Sequence, residues 1–382
     1  MILVKGKATE AKVFTNDPQE TAITQIKELC DQSFLTDAKI RIMPDYHAGK
    51  GCVIGTTIEL QDKVVPNLVG VDVGCGVYTV KLANKQVDFA RLDDVIRKHI
   101  PSGRNIHTGK AIATVQTEFP AADRFRASHL LTTDKNRASL GTLGGGNHFI
   151  EVSKDEEGFH YITIHSGSRY VGARIADYYQ KLAIEHKTDT SLPDDLAYLE
   201  GNAFNDYIFD MKLAQNYALA NRTEMARMII DQMNFDVLEQ FDTVHNYIDT
   251  EQMILRKGAV SAQKGERLII PLNMRDGSII AVGKGNPDWN YSAPHGAGRV
   301  LSRTQAMNTL NMEEFTETMK DVWSTSVVPA TLDEAPMAYK QAEAIINQVT
   351  ETLVIEKRLK PVYNFKASDQ SGWRKKRRKK RK

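Results

Sequence analysis

Five of the ten histidines in this chain sit in short polar or glycine-rich settings rather than in apolar periodic runs. They are His47 in DYHAGKG, His148 in GGGNHFIE, His165 in HSGSR, His245 in VHNYID and His295 in APHGAGR. A further stretch, VGVDVGCG, adds Asp72 and, three residues on, Cys75 between two glycines. A carboxylate oxygen, a thiolate and several imidazoles make a mixed donor set that suits a divalent transition metal better than magnesium or calcium. Asp72 has the oxygens to bridge two ions, and Cys75, His148, His165 and His245 are candidates for the rest of the shell. Zinc, manganese, iron and cobalt all accept such ligands, so metal identity stays open at this level. Each residue also has a bland reading, since a lone cysteine often serves as a small hydrophobe and a lone histidine as a satisfied structural residue.

Two motifs point to phosphate chemistry. In GGGNHFIE three consecutive glycines free the backbone to turn successive N–H groups toward an anion, with Asn147 placed to hold a phosphate oxygen and Glu151 to meet the donor edge of a base. In APHGAGR small neighbours leave the His295 ring accessible, and Arg299 follows four positions later. Neutral imidazole is a competent nucleophile near pH 7, and its attack on phosphorus gives a labile phosphoramidate that passes its group onward. Arg299 would steady the shifting phosphate charge with its planar fork of donors. The alternatives for His295 are a further metal ligand or a general acid. Loss of a ligand depletes metal, whereas loss of a nucleophile removes only the covalent adduct.

The elements that must carry these residues follow from pattern. β-rich segments bounded by glycine and aspartate predict strands over 39–43, 53–60, 64–69, 77–82 and 161–165, the last delivering His165 into a Ser-Gly-Ser turn. Apolar spacing of three and four predicts helices over 171–187, from Asp195 to Arg227, and from Met233 toward His245, with Pro193 and Asp194 marking a helix start. Strands return over 267–272 and 278–282, and a final amphipathic helix is predicted over 335–357, stopped near Pro361. The motifs fall where these elements end, the places from which a scaffold presents chemistry.

With 41% hydrophobic and 26% charged residues in 382, the composition is that of an ordinary globular chain. It has no apolar run long enough for a membrane span and no signal-peptide core at its start, so cytoplasmic residence without a membrane partner is expected. Three cysteines, Cys30, Cys52 and Cys75, lack a framework spacing and argue against stabilising disulfides. The net charge of +2 conceals a split, because all nine residues from Arg374 to Lys382 are basic and the remainder is acidic. Such a block is expected to be disordered, either as a solubilising end or as a handle that binds RNA phosphates without sequence preference. Loop residues Arg169, Arg256, Lys257, Lys284 and Arg303 would add positive field if they meet at one cleft. No linker divides the chain, which predicts one domain over 1–370 followed by the basic tail at 371–382.

In combination and order, DYHAGKG, VGVDVGCG, LGGGNHFIE, HSGSR, the His245–Asn246 pair, RKGA, GKGNP, HGAGRVLSR and PVYNFK resemble the RtcB family of RNA-splicing and RNA-repair ligases, from about Ala38 to Lys366. The resemblance implies an α/β (mixed α+β) domain whose mixed sheets, flanked by helices, surround a central metal and nucleotide cleft. It implies a GTP- and manganese-dependent ligase that joins RNA ending in a 3′-phosphate or 2′,3′-cyclic phosphate to RNA bearing a 5′-hydroxyl. The family's nucleophile falls on His295, which would take GMP from GTP and release pyrophosphate. The family's shell for manganese, two ions, falls on Asp72, Cys75, His148, His165 and His245. Its guanylate contacts fall on Asn147 at the phosphate, Glu151 and Ser278 at the base, Ala297 and Gly298 near the ribose, and Lys366 at the guanine. The chain departs from the family pattern in Pro271 to Arg275, where a Pro-Gly-Ser-Met-Gly loop is usual, and in Ala293 and Pro294 before the nucleophile. The expected partners are tRNA halves or damaged tRNA and ribosomal RNA, GTP, and an archease-type activator. A specialised paralogue and a metal-dependent RNA phosphoesterase lacking ligation are the neighbouring readings.

Overall fold

In the computed structural model, which describes residues 1–16 and 18–367, the strand segments assemble into two large sheets. One has six strands in the order Ile2–Lys5, Glu10–Val13, Ile40–His47, Ile54–Glu59, Ile254–Lys257 and Asn246–Asp249. Its second and third strands run parallel and the others antiparallel. The other has seven strands, all antiparallel, in the order Val237–Val244, Gly76–Leu82, His160–Ser166, Phe149–Lys154, Leu353–Lys366, Gly277–Gly283 and Arg267–Asn273. A two-stranded ribbon, Ala259–Ser261 against Ser292–Pro294, leads into the loop that carries His295. Mixed sheets flanked by helices are thus the observed architecture, as expected.

A single helix, Gly201–Met233, ties the sheets together. Its 33 residues make a rod of roughly 50 Å. Tyr207, Met211, Ala214 and Tyr217 pack into the core beside the six-stranded sheet, with the helices Glu20–Cys30 and Arg169–Glu185. Met225, Ala226, Ile229 and Met233 pack into the core of the seven-stranded sheet, with the helix Phe89–His99. Between these halves lies Arg222, fully buried, which donates to both oxygens of Asp242 at 2.8 and 2.7 Å and to the carbonyls of Gly74 at 2.7 Å and Ser166 at 2.8 Å. Gly74 immediately precedes Cys75, and Ser166 immediately follows His165.

Several sequence expectations are corrected here. The segment over 64–69 is strand only at Lys63–Val64, because Pro66 starts a short helix, Pro66–Val69, at a position where its missing N–H costs nothing. Asp194 opens only a short 3-10 turn, and the long helix begins at Gly201 and continues past Arg227 to Met233. Beyond Met233 no helix follows: Asn234 adopts a left-handed φ of 55° and Phe235 N–H bonds back to Ile230, which closes the helix, and Val237–Val244 is a strand. The predicted helix over 335–357 shrinks to Ala342–Ile346, and a 14-residue strand, Leu353–Lys366, takes over. Alternating exposure along the first part of that strand is a two-residue period, and Pro361 is tolerated at a shift in strand register. No helix among the described residues is long and apolar enough to cross a membrane. The basic tail at 371–382 lies outside the described residues.

Candidate metal and nucleotide site

Four strand ends and two loops converge on one place. Cys75 precedes the strand Gly76–Leu82, His148 precedes Phe149–Lys154, His165 ends within His160–Ser166, and His245 follows Val237–Val244. Because these are neighbours in the seven-stranded sheet, adjacent register brings their side chains together: Gly76 pairs with Ser166, and Phe149 with His165. One ligand atom each from Cys75, His148 and His165 lie within 4.8 Å of one another. Cys75 Sγ is 3.5 Å from His148 Nε2 and 3.2 Å from His165 Nε2. His245 Nε2 is 3.2 Å from His165 Nε2, and Asp72 Oδ2 is 2.8 Å from His148 Nε2. All five residues proposed for the shell therefore meet.

The donor chemistry fits a cation. His148 Nδ1 faces the Leu143 carbonyl at 2.7 Å and His165 Nδ1 faces the Asn147 carbonyl at 3.3 Å, which places a ring proton on each Nδ1. A second-sphere carbonyl that fixes the tautomer in this way leaves the Nε2 lone pair for a metal. Those lone pairs then point at a carboxylate oxygen, a sulfur and another imidazole nitrogen, electron-rich atoms that only a shared proton or a cation can bridge. Burial, together with the neighbouring histidines, pushes His165 and His245 well below the ordinary imidazole range, so both are neutral and able to ligate. Burial and the Asp72 carboxylate push the Cys75 thiol well above its usual range, so its ionisation needs a compensating positive charge. Burial raises Asp72 too, but when a proton rather than a cation bridges it to His148 Nε2, that hydrogen bond and charge, with Arg169, outweigh burial and bring it down to about 2.

His295 stands next to this cluster, its ring centroid 4.9 Å from that of His245. The ribbon strand Ser292–Pro294 delivers it, and Asp45, wholly buried near the end of the strand Ile40–His47, receives it. Asp45 Oδ2 lies 2.6 Å from His295 Nδ1 and accepts from the backbone N–H groups of His295 at 3.1 Å and Gly296 at 3.2 Å. Gly298 completes the turn with φ 73°, where a Cβ would stand 2.1 Å from the Asp45 carbonyl oxygen.

On the other side of His295 opens a cleft of ≈ 240 Å³. Asn147, Glu151, Ala297, Gly298, Arg299 and Lys366 all line it, as does His295. Ser278 does not; its neighbour Gly277 does, while Ser278 Oγ is buried without a hydrogen-bond partner among the described residues. Glu151 accepts from Ser153 Oγ and Asn364 Nδ2, both at 2.8 Å. Burial outweighs these bonds and Lys366, and raises its carboxyl to about 7. Arg299 turns its donors to the protein: Nε to the Leu301 carbonyl at 2.9 Å, Nη2 to the Asp333 carbonyl at 2.6 Å, and Nη1 to Glu334 and Tyr339, both at 3.2 Å. Of the other basic loop residues, Arg303 lines the cleft, whereas Lys257 is spent on the carbonyls of Lys50 and Asn67.

Sequence reading gave no role to Asp45, which faces His295, and none to His47, Glu334 or Asn364, which line the cleft. His47 lines it with Nδ1 3.1 Å from the Asp45 carbonyl, and burial lowers this imidazole to about 4. Glu334 is a buried carboxylate paired with Lys366 at 2.5 Å, Arg303 at 2.9 Å and Arg299 at 3.2 Å. Burial alone would raise it, but those three cations hold it below the usual carboxylate range. The one available signal was Asp45 beside His47 in a glycine-bounded motif; nothing in the spacing pairs it with a residue 250 positions away.

Comparison with known proteins places this geometry among relatives. The family model described as tRNA-splicing ligase RtcB matches residues 25–367. The chain is 35% identical to the RNA-splicing ligase RtcB of Escherichia coli (strain K12), over 80% of this chain and 85% of that protein. It is 29% identical to the RNA-splicing ligase RtcB2 of Escherichia coli (strain ATCC 25922), over 85% and 87% of the two chains. It is 28% identical to the tRNA-splicing ligase RtcB of Aeropyrum pernix, over 80% and 82%.

Proposed function

The chain belongs to the RtcB family of tRNA-splicing ligases, and from that membership we propose that it is an RNA ligase that uses GTP and manganese. It joins RNA 3′-phosphate or 2′,3′-cyclic phosphate ends to 5′-hydroxyl ends through GMP carried on His295, in tRNA splicing or in the repair of damaged tRNA or ribosomal RNA. The observation that carries this reading is the position of His295, between a cleft lined by polar and charged side chains and a cluster of cysteine and histidine donors.

Asp45 Oδ2 lies 2.6 Å from Nδ1 but off the line of a hydrogen bond; a turn of the ring would align the two, hold a proton on Nδ1 and leave Nε2 as the nucleophile. Nε2 attacks the α-phosphorus of GTP, the bond from that phosphorus to its bridging oxygen breaks, and pyrophosphate leaves. An oxygen of the RNA 3′-phosphate then attacks the same phosphorus, the N–P bond breaks and His295 is restored. The RNA 5′-hydroxyl attacks the activated 3′-phosphorus, its proton is lost, and GMP leaves. A 2′,3′-cyclic end is first opened by water to the 3′-phosphate.

Asp72, Cys75, His148, His165 and His245 would hold manganese, two ions at most, which supplies positive charge to the phosphates when bound. Asn147 serves the nucleotide phosphate, Ala297 and Gly298 the ribose, and Glu151 and Lys366 the base; Ser278, which does not line the cleft, has no part here. Arg299 fixes the turn that carries His295 and adds to the positive field of the cleft. An archease-type activator is part of the same proposal.

A sealing assay tests it. RNA halves with 3′-phosphate and 5′-hydroxyl ends, incubated with the manganese-loaded chain, should join only when GTP is present. Opened cyclic phosphate or released inorganic phosphate, with no joined product, would replace this reading with a metal-dependent phosphoesterase.

A further inference from the structure

One polar side chain of the cleft wall has no part in the chemistry above. Asn364 lies directly opposite Glu151 across the strands Leu353–Lys366 and Phe149–Lys154, and both residues line the cleft and are almost fully buried. Its Nδ2 donates to Glu151 Oε2 at 2.8 Å, while Ser153 Oγ donates to Oε1 at 2.8 Å. The neighbouring cation is also committed, since Lys366 Nζ sits 2.5 Å from Glu334 Oε2. Beside its second N–H, Asn364 has a wholly unused acceptor: its Oδ1 is buried with no hydrogen-bond partner among the described residues. A buried carbonyl oxygen left unpaired is costly, and an N–H from a ligand removes that cost. The pair also orients the carboxylate, because two donors fixed on opposite oxygens leave the remaining lone pairs in set directions.

We propose that Asn364 is a specificity-determining residue for the purine base. With Glu151 it forms a double acceptor that takes a base edge rich in N–H donors and refuses one that presents a bare ring nitrogen. Guanine offers N1–H and a 2-amino group on one edge, whereas adenine presents an unprotonated N1. The 2-amino group is the partner assigned to Asn364 Oδ1, so hypoxanthine, which keeps N1–H but lacks that amino group, is the discriminating probe. The assignment rests on the nucleotide reading of the cleft given above.

The test is direct binding of GDP and IDP to the full chain, wild type and Asn364→Leu, with thermal unfolding to verify that the variant folds. Wild type should prefer GDP by about tenfold or more, because a site built to bond a polar group rejects the analogue lacking it. Asn364→Leu should bring the ratio close to one. The wild-type comparison needs no substitution, so the assignment stays testable even if the variant does not fold. Equal affinity of wild type for the two nucleotides overturns it, and so does a folded Asn364→Leu chain that keeps the wild-type ratio. Binding of neither nucleotide to wild type overturns the nucleotide reading of the cleft and this assignment with it; binding of both with equal affinity by wild type overturns only the assignment.

Discussion

His295 and its contacts carry the account at the level of single residues. The Asp45 carboxylate, 2.6 Å from Nδ1, is placed to do for His295 what a buried acid does for any nucleophilic or basic imidazole once the ring aligns with it, which is to fix tautomer and orientation. Asp45→Asn keeps the shape and an oxygen for the backbone N–H groups of His295 and Gly296 but removes the charge. It should slow transfer of guanylate to His295 by roughly 10²-fold or more while leaving bound metal unchanged, as measured by single-turnover labelling alongside metal analysis. Equal loss of metal would instead make Asp45 part of the shell. Glu151 gives a pH signature. Its folded carboxyl is raised to about 7 by burial. A raised carboxyl contributes stability that is complete below its unfolded value near 4.3 and is lost as pH rises through the folded value. Glu151→Gln should therefore gain about 1–3 kcal/mol relative to wild type at pH 8 and little at pH 5, read as a Tm difference that grows with pH. A difference constant across that range would contradict the assignment.

Elements set the distances on which those residues depend, and the long helix Gly201–Met233 is the one that reaches both metal loops. Arg222 grips Asp242 and the carbonyls beside Cys75 and His165 without exposure to solvent. Arg222→Met should cost about 3–5 kcal/mol, because it strands Asp242 without its counter-charge. The same substitution should lower metal occupancy, since the Gly74 and Ser166 carbonyls lose their anchor. Urea unfolding and metal stoichiometry check both, and an unchanged midpoint would refute the clamp. This scale also explains what was legible beforehand. Strands such as Ile40–His47, Gly76–Leu82 and His160–Ser166 announced themselves through β-branched runs ended by glycine or a polar turn. The strand Leu353–Lys366 did not, because its charged residues mimic an amphipathic helix until a partner strand reveals the two-residue period. The ligands were legible as residue types in unusual settings, but the pairings of Asp45 with His295 and of Asn364 with Glu151 exist only once distant strands meet.

For the molecule as a whole, charge is the property that local structure does not explain. The nine consecutive basic residues Arg374 to Lys382 follow a strand whose last residue, Lys366, lines the cleft. Truncation after Ala367 should weaken RNA binding and flatten its salt dependence, by about 0.7 in log–log slope for each phosphate of a single strand that the tail neutralises. Filter binding across a salt series measures this, and an unchanged slope would make the tail a solubilising end. Guanylate transfer to His295, which needs no RNA, should survive the truncation.

In the proposed reaction His295 bonds covalently to guanylate. Manganese-loaded chain incubated with GTP labelled at the α-phosphate should acquire one acid-labile, base-stable label that maps to His295 and vanishes in His295→Ala, although that variant still binds metal. Label that persists in His295→Ala, or metal-loaded wild type that takes up none, would contradict the account.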